Sequence, residues 1–318
     1  MQKAAFVLFA MLFFECSGRS SDSQLVEPST QSFFEATTSC GISIKKILGI
    51  NTDDKSQMMR WELILDKDSK KLTPTTFKLS YEYGIPKQGT RGFMNGSKKV
   101  ELDGTWKFEK GIATNREAIV ITLVTPGSPV SLSFLQADEN ILHFLDDTKH
   151  LMVGSAAWSY TLNRKDPVPG NKFAPVPCLS SQIVTTSDTV GIFDGRTPCN
   201  DKLTSINNIS LDGCQGIKCQ LILLQDVTTH TPSSFILRTI YVGNGDNNIY
   251  SITGKWKMMQ RAANDATTLI YQLKPDSNKS DDQLLLLKGD DNILYFVDNE
   301  CRLLVGNSYL SYTLNRKK

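Results

Sequence analysis

Short stretches of alternating apolar and polar residues, separated by Gly, Pro, Asn or Asp, run through this chain, and helical periodicity is scarce. In the first half the pattern predicts strands at Trp61–Leu65, Thr76–Tyr81, Gly104–Phe108, Ile119–Val124, Leu132–Leu135, Ile141–Asp146, Leu151–Val153 and Ser159–Leu162. These runs are rich in β-branched and aromatic residues and are bounded by turn formers, which is the signature of half-buried strands. Trp106 and Phe108 share one face of their strand, as Trp256 and Met258 do in the second half. Eight strands at this spacing predict an all-β unit, a small antiparallel barrel or sandwich that removes or protects its edges. Closed into a barrel, eight strands leave an interior for side chains or one small ligand.

The pattern occurs twice. Asn140–Arg164 reads NILHFLDDTKHLMVGSAAWSYTLNR, and Asn292–Arg316, 152 positions on, reads NILYFVDNECRLLVGNSYLSYTLNR without a gap. Self-similarity of this length marks a duplicated structural unit. Thr73-Pro74 maps to Thr231-Pro232 and Trp106 to Trp256, offsets of 158 and 150, so the first repeat carries about eight extra residues. Their natural place is the loop Gly84–Ser97, a lid or contact loop in one reading and a tolerated surface insertion in the other. Between the copies, Pro167, Pro169, Pro175 and Pro177 cannot run through a sheet interior, because proline donates no ladder hydrogen bond. The organisation expected is an export signal over 1–18, a flexible tether over 19–39, a first barrel over 40–164, a Pro-rich linker over 165–188 and a second barrel over 189–318.

The N-terminus carries Lys3, an apolar run Ala4–Phe14, and then Glu15-Cys16-Ser17-Gly18. That run is shorter than the roughly 18–20 residues a transmembrane helix needs and reads as an export signal. A Cys directly after it, followed by the Ser-rich Ser17–Ser23, fits a bacterial lipoprotein signal in which Cys16 becomes the lipidated first residue. Ordinary cleavage near Gly18 is the alternative. The expected address is the cell envelope of a Gram-negative bacterium: an outer-membrane lipoprotein, or a periplasmic or secreted protein if Cys16 is not lipidated. With 35 basic and 33 acidic side chains, a formal charge of +2 and no long basic run, nothing marks a nucleic-acid partner.

Export permits disulfides. Setting Cys16 aside, Cys40, Cys178, Cys199, Cys214, Cys219 and Cys301 remain, and six cysteines allow 15 pairings. Cys219 stands where Trp61 stands in the first copy and reads as a small buried hydrophobe. Cys301 falls in a hairpin turn. The preferred disulfide is Cys199–Cys214, closing a loop at the entry of the second repeat; a Cys40–Cys178 bridge is conceivable. The same sulfurs offer an alternative, since soft thiolates and thioethers suit Cu(I). Cys199, Cys214 and Cys219, with Met58-Met59 and Met258-Met259, are the candidate ligands, although adjacent methionines on a strand face opposite ways.

No catalytic signature is present: no Gly-x-Ser-x-Gly, no His-Glu-x-x-His and no phosphate-cradling glycine loop between strand and helix. His143, His150 and His230 show no ligand spacing, and Asp146-Asp147 and Asp290-Asp291 read as turn residues. The expectation is therefore no catalytic residues and no enzyme.

Gly191-Ile192-Phe193-Asp194-Gly195-Arg196-Thr197-Pro198-Cys199, Gly254-Lys255-Trp256, Leu284–Leu287, Asn292–Asp298 and Leu303-Leu304-Val305-Gly306 form a series. It resembles the N-terminal domain of the NlpE-type copper-resistance lipoproteins over most of 191–316 and, more faintly, over 40–164. The resemblance implies lipocalin-like barrels and a lipid-anchored envelope protein with a role in sensing, envelope stress or interaction with an envelope protein. It also implies a link to copper tolerance, although the second cysteine of the family's Cys-x-x-Cys is here Lys202. A small apolar ligand held in a barrel is the other reading. The halves differ most in the cysteine-bearing entry of the second repeat and the longer loop of the first.

Overall fold

The computed structural model describes residues 30–127, 131–168, 188–200, 203, 209–243, 249–262, 265–276 and 283–317. Sixteen strands form two closed antiparallel barrels, each an eight-stranded meander. The first comprises β1 (Gln31–Ser39), β2 (Met58–Lys67), β3 (Pro74–Gly84), β4 (Lys98–Ile112), β5 (Asn115–Val124), β6 (Ser131–Gln136), β7 (Ile141–Phe144) and β8 (Thr161–Arg164). A short helix α1 (Ile42–Ile47) follows β1. The second comprises β9 (Thr189–Thr197), β10 (Gly216–Gln225), β11 (Pro232–Val242), β12 (Tyr250–Ala262), β13 (Asp265–Pro275), β14 (Leu284–Lys288), β15 (Ile293–Val297) and β16 (Thr313–Arg316). Closure comes from β8 pairing with β1 and β16 with β9, so neither barrel leaves a strand edge open.

Eight strands per barrel agrees with the sequence, but one strand was missed and one assigned strand is not formed. Residues Gln31–Ser39, expected within a tether ending at 39, form β1, so the first barrel begins at Gln31 rather than at position 40. The Ser/Thr-rich composition hides an alternation in which Ser32, Phe34, Ala36 and Thr38 are buried. Thr38 is not solvating a linker; its hydroxyl accepts the indole N–H of Trp61 at 2.8 Å. Conversely, Leu151–Val153 makes only a single bridge, Leu145↔Leu151, and then leaves the wall. The second barrel starts at Thr189, where it was expected, while Lys165 and Val168 of the linker still bond to the first barrel.

Both interiors are filled by side chains. In the first, Trp61 touches Tyr81 and Phe144 with ring centroids 5.1 and 4.8 Å apart, and Phe134 meets Phe144 at 4.6 Å. The Gly-x-Trp pairs have one purpose in both copies. A Cβ on Gly104 would lie 2.2 Å from the Val124 carbonyl oxygen, and one on Gly254 2.1 Å from that of Lys274. Glycine thus lets two strands approach closely, and the following indole plugs the barrel. Trp106 donates to the carbonyl of Asp66 and Trp256 to that of Leu224, at 2.7 and 2.6 Å. Phe108 shares the face of Trp106 but lies where β4 runs on past β3, so it is 44% exposed and stacks edge-on against the indole.

Candidate functional site

The stretch repeated in the two halves builds the seam between the barrels. Along Ser159-Tyr160-Thr161-Leu162-Asn163, strand alternation sends Tyr160 and Leu162 into the first barrel's core and leaves Ser159, Thr161 and Asn163 on the other face. That face meets its own counterpart. Ser159 and Ser311 hydroxyls lie 2.6 Å apart and those of Thr161 and Thr313 3.1 Å. The Gly306 N–H donates to Asn163 Oδ1, and the Gly154 N–H to Asn315 Oδ1, both at 2.8 Å. Every such pair obeys the 152-residue offset reciprocally, so the seam is self-complementary in the manner of a two-fold dimer interface. A third apolar core flanks it, with Ile141, Leu145 and Leu151 of one barrel against their counterparts Ile293, Val297 and Leu303.

One pair breaks the symmetry. His143 and its counterpart Tyr295 pack edge to face across the seam at 5.7 Å. His143 Nε2 lies 2.9 Å from the Met152 carbonyl, which can only accept, so Nε2 carries the proton and Nδ1 accepts from the Thr161 hydroxyl at 3.0 Å. Burial pulls the His143 imidazole from 6.5 down to about 4. Between those values the unfolded chain binds the proton and the folded one does not. Stability is therefore full above about pH 6.5 and falls by about 3 kcal/mol as the pH is lowered to about 4. Melting temperatures across this window are expected to drop in the parent protein and to stay flatter in His143→Tyr, which installs the counterpart residue. Equal slopes would remove His143 from this role.

At one end of the seam the two segments that distinguish the halves come together. The longer loop of the first repeat folds on itself, with Met94 N–H donating to the Ile85 carbonyl at 2.8 Å and Pro86 bridged to Phe93. It carries Arg91 over the ring of Tyr309 in the second barrel, 5.3 Å from the centroid. Arg196, from the entry strand β9, approaches the same ring at 6.0 Å, and Trp158 of the first barrel meets it edge-on at 6.1 Å. A Cβ on Gly216 would lie 2.8 Å from Leu310 Cδ1 and 3.2 Å from Arg196 Nε, so the glycine leaves room for both side chains. Neither arginine has a carboxylate within ion-pair distance among the described residues. Arg196 Nε and Trp158 Nε1 are buried donors with no hydrogen-bond acceptor there. An unmade buried hydrogen bond costs about 1–3 kcal/mol.

The entry strand is pinned just beyond Arg196. Cys199 and Cys214 are joined in a disulfide with Cα atoms 6.2 Å apart, closing a separation of 15 residues, as the sequence led us to expect. A loop of that size stabilises by about 3 kcal/mol in the chain-entropy model. Urea denaturation with and without dithiothreitol is expected to show a loss of that order, and Cys199 recovered as a thiol from non-reduced peptides would refute the bridge. Bonded to each other, Cys199 and Cys214 offer no thiolate in this state. Cys219 is a buried residue of the core against which Cys199 and Cys214 pack, its thiol pushed up to about 12 by burial and donating to the Ile217 carbonyl. Among the described residues no three His, Cys, Asp or Glu side chains cluster within reach of one metal ion.

The other singled-out residues take structural places. Cys40 is a buried thiol pushed up to about 11 by desolvation, and Cys301 occupies a turn with φ of 59°. Asp146 accepts the N–H groups of Thr148 and His150, and Asp290 that of Asn292, which is turn chemistry. Met258 faces the second core and Met259 the seam. Cys16 and Cys178, with the export signal and most of the tether and linker, lie outside the described residues. The seam asparagines and the Arg91–Tyr309–Arg196 cluster were not found from sequence. The Ser-x-Thr-x-Asn face, identical in both copies of a strand whose other face is apolar, is the signal that points to the first. Comparison of the chain with family models, with curated proteins and with solved structures gives no match in any of the three.

Proposed function

We propose that this chain is a non-enzymatic cell-envelope lipoprotein, anchored through a lipidated Cys16 and serving in envelope sensing or interaction with an envelope protein. The observation that carries this reading is that both barrels are filled by buried apolar side chains, largely rings in the first and largely aliphatic in the second, which leaves outer surfaces and loops as the working parts. The disulfide fits an oxidising compartment such as the periplasm. Filled interiors favour this over a small apolar ligand held inside a barrel. A Cu(I) role would require the Cys199–Cys214 bridge to be reduced first.

The test uses the full chain in a Gram-negative host grown with an alkyne-tagged fatty acid. The parent protein is expected in the membrane fraction carrying the label, and Cys16→Ser is expected to be soluble and unlabelled. A soluble, unlabelled parent protein ends the lipoprotein reading. Overproduction of the anchored form is expected to induce an envelope-stress reporter, and no induction would end the sensing role.

A further inference from the structure

We propose that Arg91 and Arg196, converging on Tyr309 at the end of the seam, form a docking site for a carboxylate of an acidic protein segment. The inference rests on the interaction reading above and gives it a surface. The two arginines come from the two segments in which the repeats differ, the longer loop of the first and the disulfide-pinned entry of the second. The fold brings both to one tyrosine ring, at 5.3 and 6.0 Å.

The cluster is a set of donors. Each guanidinium offers five N–H groups in a planar fork and accepts nothing, and that fork matches a carboxylate through two parallel hydrogen bonds. Trp158 Nε1 adds a further buried N–H group, and neither it nor Arg196 Nε has an acceptor among the described residues. Arg91 and Arg196 bring two like charges to one ring with no carboxylate within ion-pair distance among the described residues, so an anionic partner supplies the counter-charge that the protein does not. The surroundings favour a carboxylate on a protein over a free oxyanion. Ile85 is 42% and Met94 53% exposed on the same loop, so apolar contact area adjoins the charge. Trp, Tyr, Arg and Met are the residue types enriched at protein–protein contacts. Exposed Lys87 beside them adds positive charge that draws an acidic partner during encounter.

The test is a titration of the full chain, ¹⁵N-labelled, followed at the indole N–H resonance of Trp158, assigned by its loss in Trp158→Phe. Capped hexaglutamate is expected to shift that resonance saturably, and hexalysine to leave it in place. Arg91→Ala and Arg196→Gln are each expected to weaken hexaglutamate binding at least tenfold, and the double variant to abolish it. Should Arg196→Gln lower the melting temperature, Arg196→Lys keeps the charge but loses the fork, and a tenfold loss is expected there too. No shift with hexaglutamate overturns the proposal, as does a shift that survives in the double variant. Inorganic phosphate binding as tightly as hexaglutamate overturns it in favour of a phosphate site. The membrane-fractionation result is read separately: an anchored protein that ignores hexaglutamate loses this site and keeps its address, whereas a soluble protein that binds it does the reverse.

Discussion

Gly306→Val is expected to lower the unfolding free energy by about 4 kcal/mol and to split one thermal transition into two. A Cβ at position 306 would lie 2.2 Å from the Leu310 carbonyl oxygen and 2.8 Å from Asn163 Oδ1. The first neighbour is backbone and cannot swing away. Valine therefore forces the loop outward, an overpacking cost of about 1–3 kcal/mol. The shift also breaks the bond from the Gly306 N–H to Asn163 and threatens that from Asn163 Nδ2 to the Asn307 carbonyl, leaving buried groups unsatisfied for about another 1–3 kcal/mol. Because the damage lies on the seam, each barrel keeps its own core and the coupling between them is what weakens. Differential scanning calorimetry is the measurement, with Gly92→Ala in the exposed loop as a control expected to stay within about 0.5 kcal/mol. A single transition at the parent midpoint would show that the seam does not couple the barrels.

That seam changes the meaning of the repeat. A stretch preserved over 25 aligned positions in two halves of a chain invites a search for a shared active site. Its side chains divide instead between two packing tasks, with Tyr160, Leu162 and Leu314 filling barrels while Ser, Thr and Asn on the opposite face pair with their own copies. Both tasks constrain sequence at consecutive positions, which accounts for preservation without chemistry. A covalent linker between self-complementary halves also makes their pairing intramolecular, so modest contacts suffice to hold it.

Period-two alternation and turn residues made the all-β class and the duplication legible, because both are local. The strand β1 escaped because Ser32, Thr37 and Thr38 are polar by composition, and only their partners show them buried: Thr37 donates to the Ser308 carbonyl of the other barrel and Thr38 accepts from Trp61. The Cys199–Cys214 bridge was legible by comparing the two copies residue by residue. The arginine cluster was not, since Arg91, Trp158, Arg196 and Tyr309 are separated by long stretches of chain and meet only once the barrels have docked. Alignment of the halves nevertheless singled out both segments that supply the arginines as the places where the copies diverge.

Trp61→Ala is expected to cost the first barrel about 3–5 kcal/mol, the range for removing a large buried aromatic side chain. Trp61 is 1% exposed, packs at a tilt against Tyr81 and Phe144, and its N–H donates to Thr38 on β1, so truncation opens a void and loosens the strand on which closure depends. The second barrel shows that the position tolerates a different solution. There the cross-strand pair Trp61↔Tyr81 is replaced by Cys219↔Thr239, and the core includes fully buried Leu203 and Tyr241, with the Tyr241 hydroxyl donating to the Leu203 carbonyl at 2.6 Å. Alanine alone brings no such compensation. The void would be apolar and lined by rings, so the variant is expected to bind 1-anilinonaphthalene-8-sulfonate at pH 7 while the parent protein does not. Urea denaturation and probe fluorescence on the same samples separate the readings. Stoichiometric probe binding by the parent protein would return the ligand-carrying barrel to first place, and a loss below about 1 kcal/mol would mean that the indole is not a keystone of the core.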